Sequence, residues 1–568
     1  MPALAAMSCT FAAIALDNPG HIGEFPAMPL RSNAAVTRDW VRALATVQRL
    51  LESQDAALAR LVHEQAAAQG ETPALIGDDE TLTYAGLSGR INRYARWALA
   101  EGLAPGDVVA LNLPNRPDYA AIWLGLSQVG CVVALLNTNL KSDAIAKCIE
   151  VAGARRVIDE SRLPAIARFS GAPLEMHEQR LPRARHPALL IYTSGTTGLP
   201  KATNVTHARV LEWSGWFAGM MEATPQDRLF NTLPMYHSVG GVVAVGSMLV
   251  AGGAVIVRER FSARSFWPDV AASDATIVQY IGELCRYLLS APPGPADTQH
   301  RVRLAVGNGL HADVWEPFQE RFRVPRILEF YAASEGALSF TNAEGKPGAL
   351  GRVPSFLRDR FAVALVSCDE EGRPLRDEAG RCKRVPIGDA GEAIARLGPG
   401  ARFDGYTDPA ASEARILRDV FEPGDRWYRT GDLLKQDAAG FFYFVDRLGD
   451  TFRWKGENVS TTEVAAMLRV CPGVSDAAVY GVAVPGADGR AGMAAIVVDD
   501  GFDFGTLQAH LTERLPSYAR PLFVRICPAL ETTGTFRLRK VDLARQGFAA
   551  STDPVWKSDG AGWTPLAA

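Results

Sequence analysis

Residues 191–201 read Ile191-Tyr192-Thr193-Ser194-Gly195-Thr196-Thr197-Gly198-Leu199-Pro200-Lys201 and begin at the end of an apolar, strand-like run. Six of these residues are Ser, Thr or Gly, and a lysine closes the segment. Hydroxyl groups and glycine amides can surround a polyphosphate, and the lysine adds a positive point charge. The segment is not a Walker A loop, which requires Gly before the lysine and a hydroxyl after it, positions held here by Pro200 and Ala202. It predicts a polyphosphate-binding loop of another kind rather than an ordinary flexible surface loop.

Apolar strand-like runs alternate with helical stretches around this loop. The runs lie at 108–113, 132–136, 156–159, 189–192, 254–257, 275–280 and 303–306. This alternation favours an α/β fold, in which helices cover a largely parallel sheet. Later segments differ: 360–445 are turn-rich with short β runs at 361–366 and 441–445. Residues after 447 form an α+β pattern with helices over 461–468 and 504–515 and strands over 477–484 and 494–498.

The domain organisation predicted from these patterns has four parts. An irregular tail (1–34) precedes a large N-terminal region (35–446) with several layered, mixed or parallel sheets. A small mobile α+β C-terminal domain (447–549) follows, and residues 550–568 are expected to be a poorly ordered tail. Within the large region, apolar residues recur at helical spacing over 38–65 and predict one amphipathic helix.

Composition excludes several classes of protein. The 568 residues carry a formal charge of −4, with 48% hydrophobic and 21% charged residues, so the chain is neither disordered nor a dedicated nucleic-acid binder. The eight cysteines are scattered without a Cys-x-x-Cys pair, which argues against zinc-ribbon and thioredoxin-like sites and favours a reducing compartment.

Two uncharged runs, 119–136 and 239–257, reach the length of a membrane span. The first is interpreted as a buried helix that leads into a strand. The second contains five glycines and is interpreted as strand–turn–strand or loosely packed core. The N-terminus has no basic region typical of a signal peptide. We expect a cytoplasmic protein, with peripheral contact at the inner face of a membrane left open.

The motifs, taken in order, resemble those of the adenylate-forming superfamily, which includes acyl-CoA synthetases, luciferases and peptide-synthetase adenylation domains. Further segments match its histidine, adenine-side, aromatic-to-glutamate, ribose and hinge motifs: Pro234-Met235-Tyr236-His237-Ser238, Gly307-Asn308-Gly309-Leu310, Tyr331-Ala332-Ala333-Ser334-Glu335-Gly336, Tyr428-Arg429-Thr430-Gly431-Asp432 and Asp446-Arg447-Leu448-Gly449-Asp450. The resemblance covers about 71–548. Residues 449–464, Glu329-Phe330-Tyr331 and Thr533-Gly534-Thr535-Phe536 are similar to the fatty-acid-transport-protein and very-long-chain acyl-CoA synthetase branch.

The resemblance implies an AMP-forming acyl-CoA synthetase that uses ATP, Mg²⁺ and coenzyme A. A medium- to very-long-chain fatty acid, or another hydrophobic carboxylic acid, attacks the α-phosphate of ATP to form an acyl-adenylate and release pyrophosphate. The thiol of coenzyme A then displaces AMP. We expect the acyl pocket to be lined by 236–284, where apolar and glycine residues concentrate.

The family motifs also imply roles for particular residues. The catalytic candidates are Lys201, His237, Glu335 and Arg537, and the metal-binding candidates are Glu335 and Thr196. The candidates for binding ATP or coenzyme A are Tyr192, Thr193, Ser194, Gly195, Thr196, Thr197, Gly198, Gly307, Asn308, Gly309, Tyr331, Ser334, Asp432, Arg447, Lys455 and Gly456.

One position departs from the family pattern. Arg537 stands where the family has a lysine that contacts the α-phosphate and the substrate carboxylate, and Lys540 follows three residues later. An arginine keeps the charge but not the shape of an ammonium group. Three outcomes are open: Arg537 acts less well, Lys540 substitutes, or adenylation is weak. Two alternative functions remain. One is transfer to a carrier-protein phosphopantetheine, and the other, which Arg537 keeps open, is a turnover-impaired lipid- or nucleotide-binding protein in fatty-acid uptake.

Overall fold

The computed structural model describes residues 30–194, 200–333, 335–369, 372–398, 402–455, 457–485, 487, 489–532 and 538–566, with the backbone alone at 193, 194, 200 and 458. The chain divides into two compact units. The larger unit contains the described residues within 22–354 and 397–416, and the smaller unit contains those within 355–396 and 417–568.

The larger unit alternates helices and strands. Its helices are α1 (Asn33–Leu51), α2 (Ala59–Gln69), α3 (Tyr84–Ala100), α4 (Pro117–Gln128), α5 (Ser142–Ala152), α6 (Leu163–Ile166), α7 (His207–Met220), α8 (Ala244–Ala251), α9 (Phe266–Ala272), α10 (Gly282–Ser290), α11 (Ala312–Phe322) and α12 (Pro409–Glu413). Its strands are β1 (Pro73–Ile76), β2 (Thr81–Thr83), β3 (Val108–Leu111), β4 (Val132–Leu135), β5 (Arg156–Ile158), β6 (Pro187–Ser194), β7 (Pro200–Thr206), β8 (Arg228–Asn231), β9 (Ala254–Val257), β10 (Ile277–Ile281), β11 (Leu304–Asn308), β12 (Ile327–Ala332) and β13 (Ser339–Asn342).

These strands form two sheets that are parallel except at edges. An eight-stranded sheet has the order β13-β12-β11-β10-β8-β9-β1-β2, with antiparallel pairs only at its two ends. A five-stranded sheet has the order β5-β3-β4-β6-β7, in which β7 is antiparallel to β6. The predicted α/β class with layered, mixed sheets is confirmed.

The two uncharged runs are core segments. The first forms α4, all of whose residues are buried, followed by the buried strand β4, as predicted. The second differs from the strand–turn–strand interpretation, because Ser238–Val243 form a π-helical turn that continues into α8 and only its end forms a strand, β9. Among the described residues, no helix combines the length and apolar character needed to cross a membrane.

The single helix predicted over 38–65 is wrong, because the structure has two helices, α1 and α2, in this region. A tertiary contact fixes the break: the amide of Ala56 donates to the carbonyl of Pro182 at 3.1 Å. The Asp55 carboxylate also accepts the amide of Ala57 at 2.9 Å. Helical spacing cannot reveal a break that depends on a backbone partner 126 positions away.

The smaller unit consists mainly of antiparallel strands. They are β14 (Val363–Val366), β15 (Ala390–Arg396), β16 (Ile416–Arg418, at the unit border), β17 (Arg426–Gln436), β18 (Phe442–Arg447), β19 (Phe452–Trp454), β20 (Glu457–Val459), β21 (Val474–Ala483), β22 (Arg490–Val498), β23 (Phe523–Ile526), β24 (Val555–Ser558) and β25 (Trp563–Pro565). Its helices are α13 (Thr461–Arg469), α14 (Phe504–Arg514) and α15 (Lys540–Gln546).

The strands of the smaller unit build three sheets. One has the order β14-β15-β17-β16 with β18 also paired to β17, a second is the β19-β20 hairpin, and the third has the order β21-β22-β23-β24-β25. The expected poor order after residue 549 is wrong, because β24 and β25 complete the third sheet. The predicted α+β pattern after residue 447 is confirmed.

Helix α1 is held by a buried carboxylate that faces three arginines. The Asp39 side chain is 3% exposed and contacts Arg31, Arg42 and Arg326 at 2.5, 2.6 and 2.9 Å. Arg326 immediately precedes β12, so the cluster joins α1 to the sheet. A carboxylate that neutralises several partly buried cations stabilises the fold mainly because its loss would leave them unpaired.

We predict that Asp39→Asn lowers the stability of the larger unit by roughly 2–3 kcal/mol, because three guanidinium groups then face an uncharged amide. The melting temperature of the first unfolding transition measures the effect. Asp78→Asn is the matched control, since that half-exposed carboxylate makes a single 3.3 Å pair with Arg258. Equal melting temperatures for the two variants would contradict the prediction.

Candidate functional site

The predicted polyphosphate-binding loop joins the antiparallel strands β6 and β7. Thr193 lies opposite Lys201 in this hairpin, and Ser194 lies opposite Pro200. Residues 195–199 are outside the described residues, as are the side chains at 193 and 194. The predictions for Gly195, Thr196, Thr197 and Gly198 therefore stay predictions, and Lys201 is the part of the loop whose surroundings are described.

Tyr192 anchors the hairpin to a neighbouring helix. Its phenol donates to the carbonyl of Cys148 in α5 at 2.6 Å. Burial raises the pKa of this phenol. The described contact of Tyr192 is therefore structural, and it supports the position of β6 where the loop begins.

Tyr406 brings two of the predicted catalytic residues together. Its phenol donates to Oε1 of Glu335 at 2.5 Å, and the Nζ of Lys201 lies 5.9 Å from the centre of its ring. The sequence prediction did not include Tyr406, which lies 71 and 205 positions from these partners. Burial, followed by the neighbouring Glu335 carboxylate, raises the pKa of this phenol.

Arg209 fixes the backbone next to Glu335. This arginine in α7 is 6% exposed, donates to the carbonyls of Gly336 and Arg402 at 2.7 Å each, and pairs with Asp404 at 3.4 Å. Gly336 has φ +78°, and a Cβ there would lie 2.6 Å from the guanidinium carbon. The glycine of the aromatic-to-glutamate motif is therefore required by the close approach of Arg209, which no sequence pattern indicated.

The adenine-side loop is attached to a buried carboxylate. Glu329 in β12 accepts the amide of Gly309 at 2.5 Å, the amide of Leu310 at 3.2 Å and the phenol of Tyr280 at 2.5 Å. Burial raises the pKa of Glu329 to about 8, although these three hydrogen bonds act in the opposite direction. The sequence analysis treated Glu329 only as a family signature.

The remaining predicted residues of this region lie at the ends of adjacent parallel strands. Gly307 and Asn308 end β11, and Tyr331 lies near the end of β12. A Cβ at Gly307 would lie 2.2 Å from the carbonyl oxygen of Tyr280, so this position requires glycine. Among the described residues, the buried Oδ1 of Asn308 has no hydrogen-bond partner. Ser334 is outside the described residues.

His237 starts the π-helical turn Ser238–Val243. Its carbonyl accepts the amide of Gly241 at 2.7 Å, and its ring lies 4.7 Å from that of Tyr236. A Cβ at Gly241 would lie 2.1 Å from the carbonyl oxygen of Met235. The glycines after His237 thus allow the turn to pack directly on the motif, and single-turn π segments are frequent at functional sites.

In the smaller unit, β17 and β18 place Asp432 opposite Arg447, with 3.3 Å between carboxylate and guanidinium. A buried carboxylate supports this segment, since Glu392 in β15 contacts Arg429 at 2.6 Å and accepts the amide of Gly431 at 3.2 Å. The sequence analysis did not identify Glu392. Its side chain is fully buried, and its role depends on the pairing of β15 with β17.

Lys540, which follows the family's lysine position by three residues, lies beside the predicted hinge. Its ammonium donates to the hydroxyl of Thr461 at 2.7 Å, and burial lowers its pKa, with Asp446 and Asp450 acting in the opposite direction. Asp446 accepts the amide of Thr461 at 2.6 Å. Arg537 is outside the described residues, so its role stays a prediction.

Lys455 occupies the turn between β19 and β20 with φ +53°, an unusual value for a residue with a side chain. Gly456 is outside the described residues. Gly489 forms an isolated bridge with Trp454, and a Cβ at Gly489 would lie 2.4 Å from the carbonyl oxygen of Arg453. The backbone of Gly489 therefore packs directly against β19, which leads into the turn that carries Lys455.

Comparison with known proteins gives consistent results. The family model described as AMP-binding enzyme matches residues 62–381, and the model of the AMP-binding enzyme C-terminal domain matches residues 463–537. The chain is 41% identical over 534 residues to long-chain fatty acid transport protein 1 of Homo sapiens, covering 86% of this chain and 82% of that protein. It is 39% identical over 544 residues to the medium/long-chain-fatty-acid–CoA ligase FadD6 of Mycobacterium tuberculosis, covering 91% and 90%.

Solved structures support the fold. ATP-bound MatB from Rhodopseudomonas palustris aligns with a TM-score of 0.72 at 24% identity, over 88% of this chain and all of that chain. MenE from Bacillus subtilis, an O-succinylbenzoate coenzyme A synthetase in complex with AMP, aligns with a TM-score of 0.70 at 22% identity, over 87% and 98%.

We predict that Glu329→Gln reduces the loss of stability at alkaline pH. The pKa of Glu329 rises from 4.5 to about 8 on folding, so the folded state binds the proton more tightly and stability falls as pH rises between these values. Glutamine keeps an acceptor for Gly309 and cannot ionise. The difference in melting temperature between pH 6 and pH 8.5 should be smaller than for wild type. The exposed substitution Glu222→Gln is the control, and an unchanged difference in Glu329→Gln would contradict the prediction.

Proposed function

Because the chain belongs to the family of AMP-binding enzymes, we propose that it is an AMP-forming fatty-acid–CoA ligase that activates medium- to very-long-chain acids. The observation that carries this proposal is the contact of Tyr406 with both Lys201 and Glu335. This contact supports the proposal because it brings the cation that we assign to phosphate binding and the carboxylate that we assign to metal binding to the same side chain. The similarity to the fatty acid transport protein and to FadD6 supports a fatty acid as the substrate.

The reaction requires positioning and charge neutralisation more than covalent help from the protein. A carboxylate oxygen of the fatty acid attacks the α-phosphorus of ATP, and the bond to the bridging oxygen of pyrophosphate breaks. We assign Lys201 to the negative charge that develops on the departing pyrophosphate. The amides and hydroxyls of 193–198 would hold the same phosphate groups.

Mg²⁺ fits the chemistry of Glu335. Magnesium is usually bound through one or two carboxylates together with phosphate oxygens, rather than by a cage of protein ligands. Glu335, with Thr196 as a second candidate, would hold the ion, which supplies positive charge at the phosphates.

We assign the adenine and the ribose of the nucleotide to different motifs. The unpartnered, buried Oδ1 of Asn308 suits a donor such as the amino group of adenine, and Tyr331 offers an aromatic face. The two carboxylate oxygens of Asp432 suit the two ribose hydroxyls, with Arg447 as its neutralising partner. These assignments are proposals from residue chemistry and the local contacts given above.

The acyl chain would lie along 236–284, with His237 at the junction of acyl group and phosphate. This stretch includes the π-helical turn and α8, in which residues 244–249 are buried.

The small domain after residue 446 would rotate about Gly449 between adenylation and thioester formation and present Lys455 and Gly456 to coenzyme A. Arg537 would act at the α-phosphate. Peripheral membrane contact and a cytoplasmic location stay predictions.

We predict AMP and acyl-CoA formation that requires ATP, Mg²⁺, coenzyme A and a fatty acid, measured across chain lengths from C8 to C24. Lys201→Ala and Glu335→Ala should each lower the adenylation rate by about 10²–10³-fold, since each removes charge stabilisation at the reacting phosphates. Adenylation without acyl-CoA formation would favour a carrier-protein acceptor. Nucleotide binding without turnover, not restored by Arg537→Lys, would favour the turnover-impaired alternative.

We predict that Gly449→Pro impairs thioester formation more than adenylation. Gly449 has φ +93°, a conformation that proline cannot adopt, so the substitution restricts the proposed pivot. Single-turnover measurements of acyl-adenylate formation and of its consumption by coenzyme A separate the two steps. Equal losses in both steps would contradict the assignment of the hinge.

A further inference from the structure

Tyr406 contacts two residues that the proposed function assigns to different ligands, Glu335 to Mg²⁺ and Lys201 to the phosphates of ATP. Its hydroxyl donates to one oxygen of Glu335 at 2.5 Å, and its ring faces the ammonium of Lys201 at 5.9 Å. The first is a hydrogen bond to a charged group, which is stronger than a neutral one. The second lies within the distance at which a cation is attracted to an aromatic face.

The backbone around Tyr406 is fixed to the strand that carries Lys201. Thr203 and Tyr406 form a β-bridge, the amide of Asn204 donates to the carbonyl of Gly405 at 3.0 Å, and the amide of Thr407 donates to the carbonyl of Ala202 at 2.9 Å. Residues 405–407 therefore pair alongside β7. The positions of Lys201 and Tyr406 relative to each other are fixed because both residues belong to this paired backbone.

Arg209 fixes the backbone beside Glu335, the other partner of Tyr406. Its guanidinium binds the carbonyl of Gly336, next to Glu335, and the carbonyl of Arg402, at the start of the Tyr406 segment. It also pairs with Asp404 of the same segment. The backbone of Glu335 and the backbone of Tyr406 are thus tied to one buried side chain.

We propose that Tyr406 is a positioning residue that orients the Glu335 carboxylate for Mg²⁺ and the Lys201 ammonium for the phosphates of ATP. This inference rests on the proposed function, because it assigns a task to a neighbour of the proposed catalytic pair. By occupying Oε1, the phenol restricts the rotation of the Glu335 side chain and leaves Oε2 for the ion. The ring limits the directions that the Lys201 side chain can take.

Two substitutions separate the hydroxyl from the ring. Tyr406→Phe keeps the ring but removes the hydroxyl, and with it the hydrogen bond to Glu335 and the interaction with Arg415. The Mg²⁺ concentration for half-maximal adenylation should therefore rise and kcat should fall about tenfold, the size of one charge-assisted hydrogen bond. Tyr406→Leu also removes the aromatic face and should in addition raise the KM for ATP. The KM for the fatty acid should change in neither variant.

A binding measurement tests the same inference without turnover. Titration calorimetry of ATP, with and without Mg²⁺, should show that the gain in affinity from Mg²⁺ is several-fold smaller in Tyr406→Phe than in wild type. Tyr443→Phe is the matched control, because that phenol also donates to a carboxylate, Asp437 at 2.9 Å, in the smaller unit. Its metal dependence should equal that of wild type.

A double-mutant cycle distinguishes positioning from a general structural role. If Tyr406 acts through Glu335, then Tyr406→Phe should have little effect in a Glu335→Gln background. Additive losses, or wild-type metal dependence in Tyr406→Phe, would overturn the inference. If no acid supports turnover in the wild type, the proposed function fails, whereas a weakened Mg²⁺ dependence of ATP binding in Tyr406→Phe would still support the role of Tyr406.

Discussion

The hydrogen bond from Tyr406 to Glu335 is the interaction on which the arrangement of the candidate site in the larger unit depends. It joins the end of one sheet, where β12 leads into the glutamate turn, to the hairpin edge of the other, where β7 carries Lys201. Buried Arg209 supports the same junction through the backbone on both sides. Glu335 and Lys201, the residues proposed to bind the metal and the phosphates, are therefore both in contact with Tyr406.

In each of the two units, a buried carboxyl group accepts the backbone amide of a motif glycine. Glu329 accepts the amide of Gly309, and Glu392 accepts the amide of Gly431. In each case a glycine next to a proposed nucleotide-binding residue has its amide held by a carboxylate from a neighbouring strand. In both cases the carboxyl group fixes flexible glycine backbone by accepting its amide. The surroundings differ, because Glu392 is neutralised by Arg429, whereas Glu329 lies against the phenol of Tyr280.

The sequence predicted the fold class and seven strands of the two sheets of the larger unit, because these depend on local periodicity. The seven strands are β3, β4, β5, β6, β9, β10 and β11. It did not predict what depends on distant partners. The break between α1 and α2 requires the carbonyl of Pro182, and the order of residues 555–565 requires pairing with β23. Tyr406, Arg209 and Glu392 were not identified from the sequence, and their contacts with Glu335, Gly336 and Arg429 become visible only in the tertiary structure. Glu329 was visible as a family feature, but its hydrogen bonds to the adenine-side loop were not.

The central claim is that this chain forms an acyl-adenylate at the site built around Lys201, Glu335 and Tyr406. The most direct measurement is the exchange of labelled pyrophosphate into ATP in the absence of coenzyme A, since only reversible adenylation produces it. We predict exchange that requires both a fatty acid and Mg²⁺ and that is nearly abolished in Glu335→Ala. Exchange that proceeds without a fatty acid, or that persists at the wild-type rate in Glu335→Ala, would contradict the account.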